Sequence, residues 1–268
     1  MIPLVTDSAD LEKMRKACQT AAGLLDYLAP HIKAGITTAE LDRLCVERIA
    51  ELGVKSATVG YAPPGHTPFP GAICTSINHV ICHGIPGEKL LKNGDIMNID
   101  VTIIQDGWFG DTSRMYQIGE PSILGRRLNQ TAFECMWLGI EKVRPGATLG
   151  DIGHVIHSYA AKQGFSVVRE YCGHGVGRQF HQDPQVLHYG KPGTGERLEP
   201  GMIFTIEPMI NAGRKELRVL ADGWTVVTRD HSLSAQWEHA VLVTDTGYEV
   251  LTISPDMPAP PAFVQQNS

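Results

Sequence analysis

Asp100 and Asp111 lie on either side of an Asp106-Gly107 pair in the stretch NIDVTIIQDGWFGDTSRMY. Met97, Ile99, Val101 and Ile103 alternate with Asn98, Asp100 and Thr102, which is strand periodicity, and an Asp-Gly centre turns a strand back on itself. With that turn, Asp111 falls opposite Thr102 and on the same sheet face as Asp100. Two more acids, Glu207 in FTIEPM and Glu238 in AQWEHAVLVT, sit in apolar stretches that also read as strands. A single acid at an alternating strand position ordinarily marks the solvated face of an antiparallel sheet. Four brought together would do something else. Neighbouring carboxylates raise one another's pKa values, whereas two divalent cations cancel the charge and let all four act as ligands. The imidazole of Gly173-His174-Gly175 completes a set of oxygen donors and one nitrogen, which suits Mn, Fe or Co at least as well as Zn.

The elements that must hold these groups occur twice. Asp7 or Ser8 caps a helix whose apolar positions include Leu11, Met14, Cys18, Ala21, Leu25 and Leu28. Thr37 and Glu40 form a capping box for a second helix ending near Gly53. Lys33–Thr37 and its helix match Arg144–Thr148 and its helix at a shift of 111, and Lys92–Asp100 matches Glu199–Glu207 at a shift of 107. Asp100 and Glu207 are thus equivalent positions. Two copies of a helix-plus-hairpin unit, at about 8–118 and 122–252, predict an α+β fold with pseudo-twofold halves and the site between them. One domain is expected over 1–253, and the Pro- and Ala-rich stretch 254–268 reads as a mobile tail.

Composition bounds the partners. Among 268 residues, 43% hydrophobic and 19% charged, 23 Lys and Arg face 29 Asp and Glu, so a net charge of −6 gives no broad attraction for nucleic acid or an anionic membrane. The six cysteines form no C-x-x-C pair and read as reduced thiols. No basic-then-apolar leader opens the chain and no apolar run approaches the roughly 20 residues needed to span a bilayer, so the cytoplasm is the expected location.

On Cys82–Pro86, residues 98–116, 173–189, FTIEPM (204–209) and SLSAQWEH (232–239), the chain resembles the type I methionine aminopeptidases of the pita-bread metallopeptidase family. With no Cys/His-rich extension before residue 8, it resembles their short bacterial form. The resemblance implies two metal ions, Asp100 chelating one, His174 and Glu207 the other, with Asp111 and Glu238 bridging. It implies that His83 and His181 are catalytic histidines that contact substrate, and that Asn78, Val80 and Ser234 hold a monovalent cation. The implied reaction removes the initiator methionine of nascent chains when the second residue is small. In the implied reaction the metals would supply a hydroxide nucleophile, Glu207 would shuttle its proton, His181 would stabilise the oxyanion and His83 would position the scissile nitrogen. Transient ribosome contact and a monomeric chain go with this reading.

Where the family shows an aromatic-rich strand before Cys74, this chain reads YAPPGHTPFPGAIC. Phe69, Cys74, Phe180 and Trp224 are the candidates for the methionine pocket, since soft and aromatic surfaces receive a thioether well. The rival readings are a proline-selective aminopeptidase or dipeptidase of the same fold, and a non-catalytic peptide-binding relative. His154 and His157 read as helix surface, and His79, His188 and His239 receive no role.

Overall fold

The computed structural model describes residues 2–264. Four α-helices cover the sheets: α1 (Ser8–Leu28), α2 (Thr38–Glu51), α3 (Ile123–Ile140) and α4 (Leu149–Lys162). Asp7, rather than Ser8, caps α1, accepting the backbone N–H groups of Ala9 and Asp10 at 2.9 and 3.0 Å. Capping boxes start both second helices, Thr37 with Glu40 and Thr148 with Asp151. The matched positions of the repeat are therefore matched helix starts.

In the first half, strands Ile73–Ile77, Ile96–Gln105 and Trp108–Gln117 pair antiparallel, with the short strand Lys55–Ser56 on one edge. Met14, Cys18, Ala21, Leu25 and Leu28 of α1 join Leu41 and Cys45 of α2 over this sheet, in one apolar core. The second half places Leu128, Met136 and Ile140 of α3 and Ile152 and Ile156 of α4 over an antiparallel sheet that includes Ile203–Ile206 and His239–Val243. Each half thus centres on one core, which also takes residues of the other, Ile96 and Met115 in the second and Val176, Ile203 and Leu242 in the first, and the α+β arrangement expected from the duplication is the one observed.

The halves meet along the far side of the hairpins. An isolated bridge joins Ser113 to Glu238, Thr112 Oγ1 donates to the Glu238 carbonyl at 2.9 Å, and buried Asn98 donates to both Ser113 Oγ and the Gln236 carbonyl. The stretch AQWEHAVLVT is not one strand but two, Ser234–Gln236 and His239–Val243. Its partner is interrupted at the same place, between Ile203–Ile206 and Met209–Asn211. Pro208, which has no N–H to donate, lies in that gap, and the register on either side is continuous, so Glu207 faces Glu238 across the break.

Beyond Ile253 the chain is not loose throughout. Ser254 Oγ donates to Asp26 and accepts from Arg114, both at 2.8 Å, and Met257 and Val264 pack against the second core. The remainder of the expected tail, 265–268, lies outside the described residues. All six cysteines are free, and no helix among the described residues is long and apolar enough to cross a membrane.

Close packing of α1 on the first hairpin has a testable consequence at Gly110. A Cβ there would lie 2.2 Å from the Ala17 carbonyl oxygen, an atom of backbone that cannot swing aside. Gly110→Ala is expected to destabilise the metal-free protein by about 1–3 kcal/mol in urea unfolding. Gly87→Ala, where the added Cβ meets nothing within 4 Å, should stay within about 0.5 kcal/mol of the unaltered chain.

Candidate metal centre

Thr102 pairs with Asp111 and Asp100 with Ser113, so the Asp106-Gly107 turn sets the register expected from the sequence. Thr102 Oγ1 donates to Asp111 Oδ1 at 2.7 Å and orients that carboxylate. Glu207 is held from two sides, by Thr205 Oγ1 at 2.7 Å on Oε1 and by Gln236 Nε2 at 3.1 Å on Oε2. Glu238, freed from its own sheet by the break, donates its backbone N–H to the Ser113 carbonyl of the other half at 3.3 Å, and this contact carries it to the first hairpin.

The register also corrects the symmetry. Asp100 and Glu207 are equivalent, but Asp111, opposite Thr102, corresponds to Gln236, opposite Met209. Glu238 corresponds to Ser113. Only one pair of acids is related by the duplication, and the other two are contributed once by each half.

Carboxylate oxygens of Asp100, Asp111 and Glu238 lie within 4.8 Å of one another. His174 Nε2 is 3.5 Å from Asp111 Oδ2 and 3.6 Å from Glu207 Oε1. A Cβ on Gly173 would fall 2.3 Å from the Thr205 carbonyl oxygen, and one on Gly175 2.1 Å from that of Asp183. The glycines therefore let a strand pass tightly between its neighbours with the imidazole as its one projecting group. His174 Nδ1 is 3.0 Å from the Gly175 carbonyl, which can only accept, so Nδ1 carries a proton and Nε2 is the nitrogen left to face the acids' shared space.

Burial, and then the neighbouring carboxylates, push Asp100 and Glu238 well above the usual carboxylate range. Burial does the same to Glu207, against the pull of Thr205, and raises Asp111 against His174 and Thr102. Among the described residues, His174 is the one basic side chain within ion-pair distance of the four. Such a group of acids fits divalent cations, which supply the missing positive charge and take oxygen donors.

The centre floors a cavity of about 1040 Å³ that His83 and His181 also line. His83 has a left-handed backbone, φ 55°, a strained conformation for a residue with a Cβ. Its ring stands edge-on to Tyr171 at 5.3 Å and to Trp224 at 6.1 Å. Burial lowers its pKa to about 4, and partial desolvation with His174 and His83 nearby lowers that of His181 to about 3. Both are neutral near pH 7. All four pocket candidates, Phe69, Cys74, Phe180 and Trp224, line the same cavity.

The segment before Cys74 is a loop rather than a strand, because its prolines cannot supply a ladder of N–H donors. It nevertheless folds back, Gly60 N–H donating to the Phe69 carbonyl and Phe69 N–H to that of Tyr61, and so brings Tyr61, His66 and Phe69 to the cavity. Tyr61, His66 and Gln236 escaped the sequence reading. Gln236 carried a usable signal, since it lies two residues before Glu238 on a stretch read as strand. His188, given no role from sequence, is buried with Nε2 accepting the backbone N–H of Glu207 at 3.2 Å. His239 is bonded elsewhere, its Nδ1 2.7 Å from Thr252 Oγ1. Asn78 and Ser234 meet outside the cavity, the Ser234 N–H donating to the Asn78 carbonyl at 2.8 Å, while Val80 pairs with Val227.

The sequence profile of metallopeptidase family M24 matches residues 12–245. Methionine aminopeptidase of Escherichia coli K12 is 53% identical over 249 residues, covering 92% of each chain. The crystal structure of methionine aminopeptidase from Rickettsia prowazekii superposes with a TM-score of 0.91 at 53% identity, covering 94% of this chain and all of that one. A Xaa-Pro dipeptidase from Bacillus anthracis shares the fold alone, with a TM-score of 0.71 at 21% identity, and this chain spans 63% of its length.

The raised carboxylates make metal-linked stability depend on pH. In the metal-free folded chain they retain protons that the unfolded chain loses above about pH 4, so unfolding releases protons and stability falls as pH rises. The histidines His83, His181, His188 and His239, with pKa values lowered to about 4, 3, 3 and 3, act oppositely, with and without metal alike. The rise in Tm on adding Mn²⁺ reports the metal-ligand set, the four acids together with His174, and it is expected to grow between about pH 5 and about pH 7.5. An increment that stays flat or shrinks across that range would contradict the assignment.

Proposed function

The chain belongs to metallopeptidase family M24, within its methionine aminopeptidase branch, and we propose that it removes the N-terminal methionine of nascent polypeptides when the second residue is small. The observation that carries this reading is one cavity with an acidic, imidazole-bearing floor and an aromatic wall. The floor suits cations and a free amino terminus. The wall suits an unbranched thioether, which gains contact with ring edges and soft sulfur.

Asp100, Asp111, His174, Glu207 and Glu238 would hold two divalent ions, drawn from Co, Mn, Fe or Zn. Bound there, such ions supply a water acidic enough to act as nucleophile near neutral pH and polarise the first carbonyl. The side chains provide the rest. Glu207, oriented by Thr205 and Gln236, takes the proton of the attacking water and returns it to the leaving nitrogen. His181, its imidazole pKa lowered by partial desolvation, donates an N–H to the carbonyl oxygen as negative charge develops there. His83 orients the scissile nitrogen. Phe69, Cys74, Phe180 and Trp224 take the methionine side chain. Asn78, Val80 and Ser234 form a separate site for a monovalent cation. The proposed setting is the cytoplasm, with a monomeric chain meeting its substrates during transient contact with the ribosome.

Purified protein supplied with Mn²⁺ or Co²⁺ should release methionine from Met-Ala-Ser, as read by chromatography of the products, and leave Ala-Pro-Ser intact. Glu207→Gln should lower kcat by roughly 10²–10⁴-fold, the contribution typical of a positioned acid–base group. Faster cleavage of Ala-Pro-Ser than of Met-Ala-Ser would favour the proline-selective rival. Peptide binding with neither cleavage nor metal uptake would favour the non-catalytic one.

A further inference from the structure

The phenol of Tyr61 lies 3.0 Å from Nδ1 of His181. Its ring is packed against those of Phe180, at 5.0 Å, and His181, at 5.5 Å. Three backbone hydrogen bonds fix the residue from which it projects: Tyr61 N–H donates to Thr58, Gly60 N–H to Phe69, and Phe69 N–H to the Tyr61 carbonyl, at 2.9, 2.8 and 2.9 Å. This anchoring closes the neck of the proline-rich loop 62–68, so the hydroxyl is presented from a held backbone.

A neutral imidazole has one N–H and one lone pair, and the partner of one nitrogen decides what the other can do. A phenol is a stronger acid than a neutral imidazole N–H, and an imidazole nitrogen is a stronger base than a phenol oxygen, so O–H···N is the favoured sense of this contact. Burial raises the Tyr61 pKa further, which keeps its proton in place near pH 7. Among the described residues, His181 is the side chain that the hydroxyl reaches.

We infer that Tyr61 is a positioning residue for the reaction: its hydroxyl donates to His181 Nδ1 and holds the imidazole in the tautomer that carries its proton on Nε2. The opposite tautomer would present a lone pair on Nε2 and could not donate to a carbonyl oxygen from that atom. The inference rests on the proposed role of His181 as an oxyanion donor. It goes beyond that role by naming the group that selects the competent tautomer.

Tyr61→Phe tests it, because the ring and its packing are kept and only the hydroxyl is lost. With Met-Ala-Ser as substrate and saturating Mn²⁺, kcat should fall about tenfold, the size of one hydrogen bond's worth of transition-state stabilisation, while KM, metal content and Tm stay near those of the unaltered chain. The zinc-loaded protein, labelled with ¹⁵N in its histidines, gives a second readout. His181, assigned by its loss in His181→Ala, should show a protonated Nε2 and an unprotonated Nδ1, and Tyr61→Phe should shift it towards a mixture of tautomers. A protonated Nδ1 in the unaltered chain, or a kcat within about twofold of it in Tyr61→Phe, would overturn the inference. If Met-Ala-Ser is not cleaved at all, the proposed function fails, and the nitrogen spectrum still decides the tautomer.

Discussion

Four carboxylates buried against one another cannot all stay ionised unless positive charge enters with them. That constraint organises the molecule. Asp111 and Glu238 are 3% and 2% exposed, and the acids' one basic neighbour within ion-pair distance, among the described residues, is His174. Desolvation and mutual repulsion both favour the protonated acids, whereas divalent ions favour the ionised ones, so the same geometry that burdens the metal-free chain prepares it for metal. The hydrogen bonds from Thr102 to Asp111 and from Thr205 and Gln236 to Glu207 fix the carboxylates around the shared space.

The scaffold meets this demand by joining two copies of one unit back to back. In the first copy an uninterrupted hairpin projects Asp100 and Asp111 on one face. The second copy is broken at Glu207-Pro208 and at Trp237-Glu238, which lets Glu238 leave its own sheet and bond to Ser113 of the first. Equivalence ends there: Gln236 stands where the symmetry would put another acid, and it serves as a donor to Glu207. The departure from symmetry supplies a hydrogen bond in place of a further repulsion.

Much of this was legible in the residues. Alternation around Asp106-Gly107 fixed the pairing of Thr102 with Asp111, and the two Thr-led capping boxes marked equivalent helix starts. Local signals of this kind act over a few residues and can be read in order. The break in AQWEHAVLVT was not legible, because its cause is Pro208, on a paired strand well upstream in the chain. Tyr61 and His66 were missed for a related reason: a proline-rich loop has no period from which to place its side chains, and only the closure of Gly60 and Tyr61 on Phe69 puts them at the cavity. Ser254 gave no warning of its bonds to Asp26 and Arg114, which lie in a distant helix and strand.

Metal stoichiometry tests the charge balance most directly. Titration of the metal-free protein with Mn²⁺, followed by calorimetry and by equilibrium dialysis, should saturate at two ions per chain, and Asp111→Asn with Glu238→Gln should abolish at least one of them. Saturation at fewer than two ions, or an unchanged stoichiometry in the doubly substituted chain, would contradict the view that two cations neutralise the four acids.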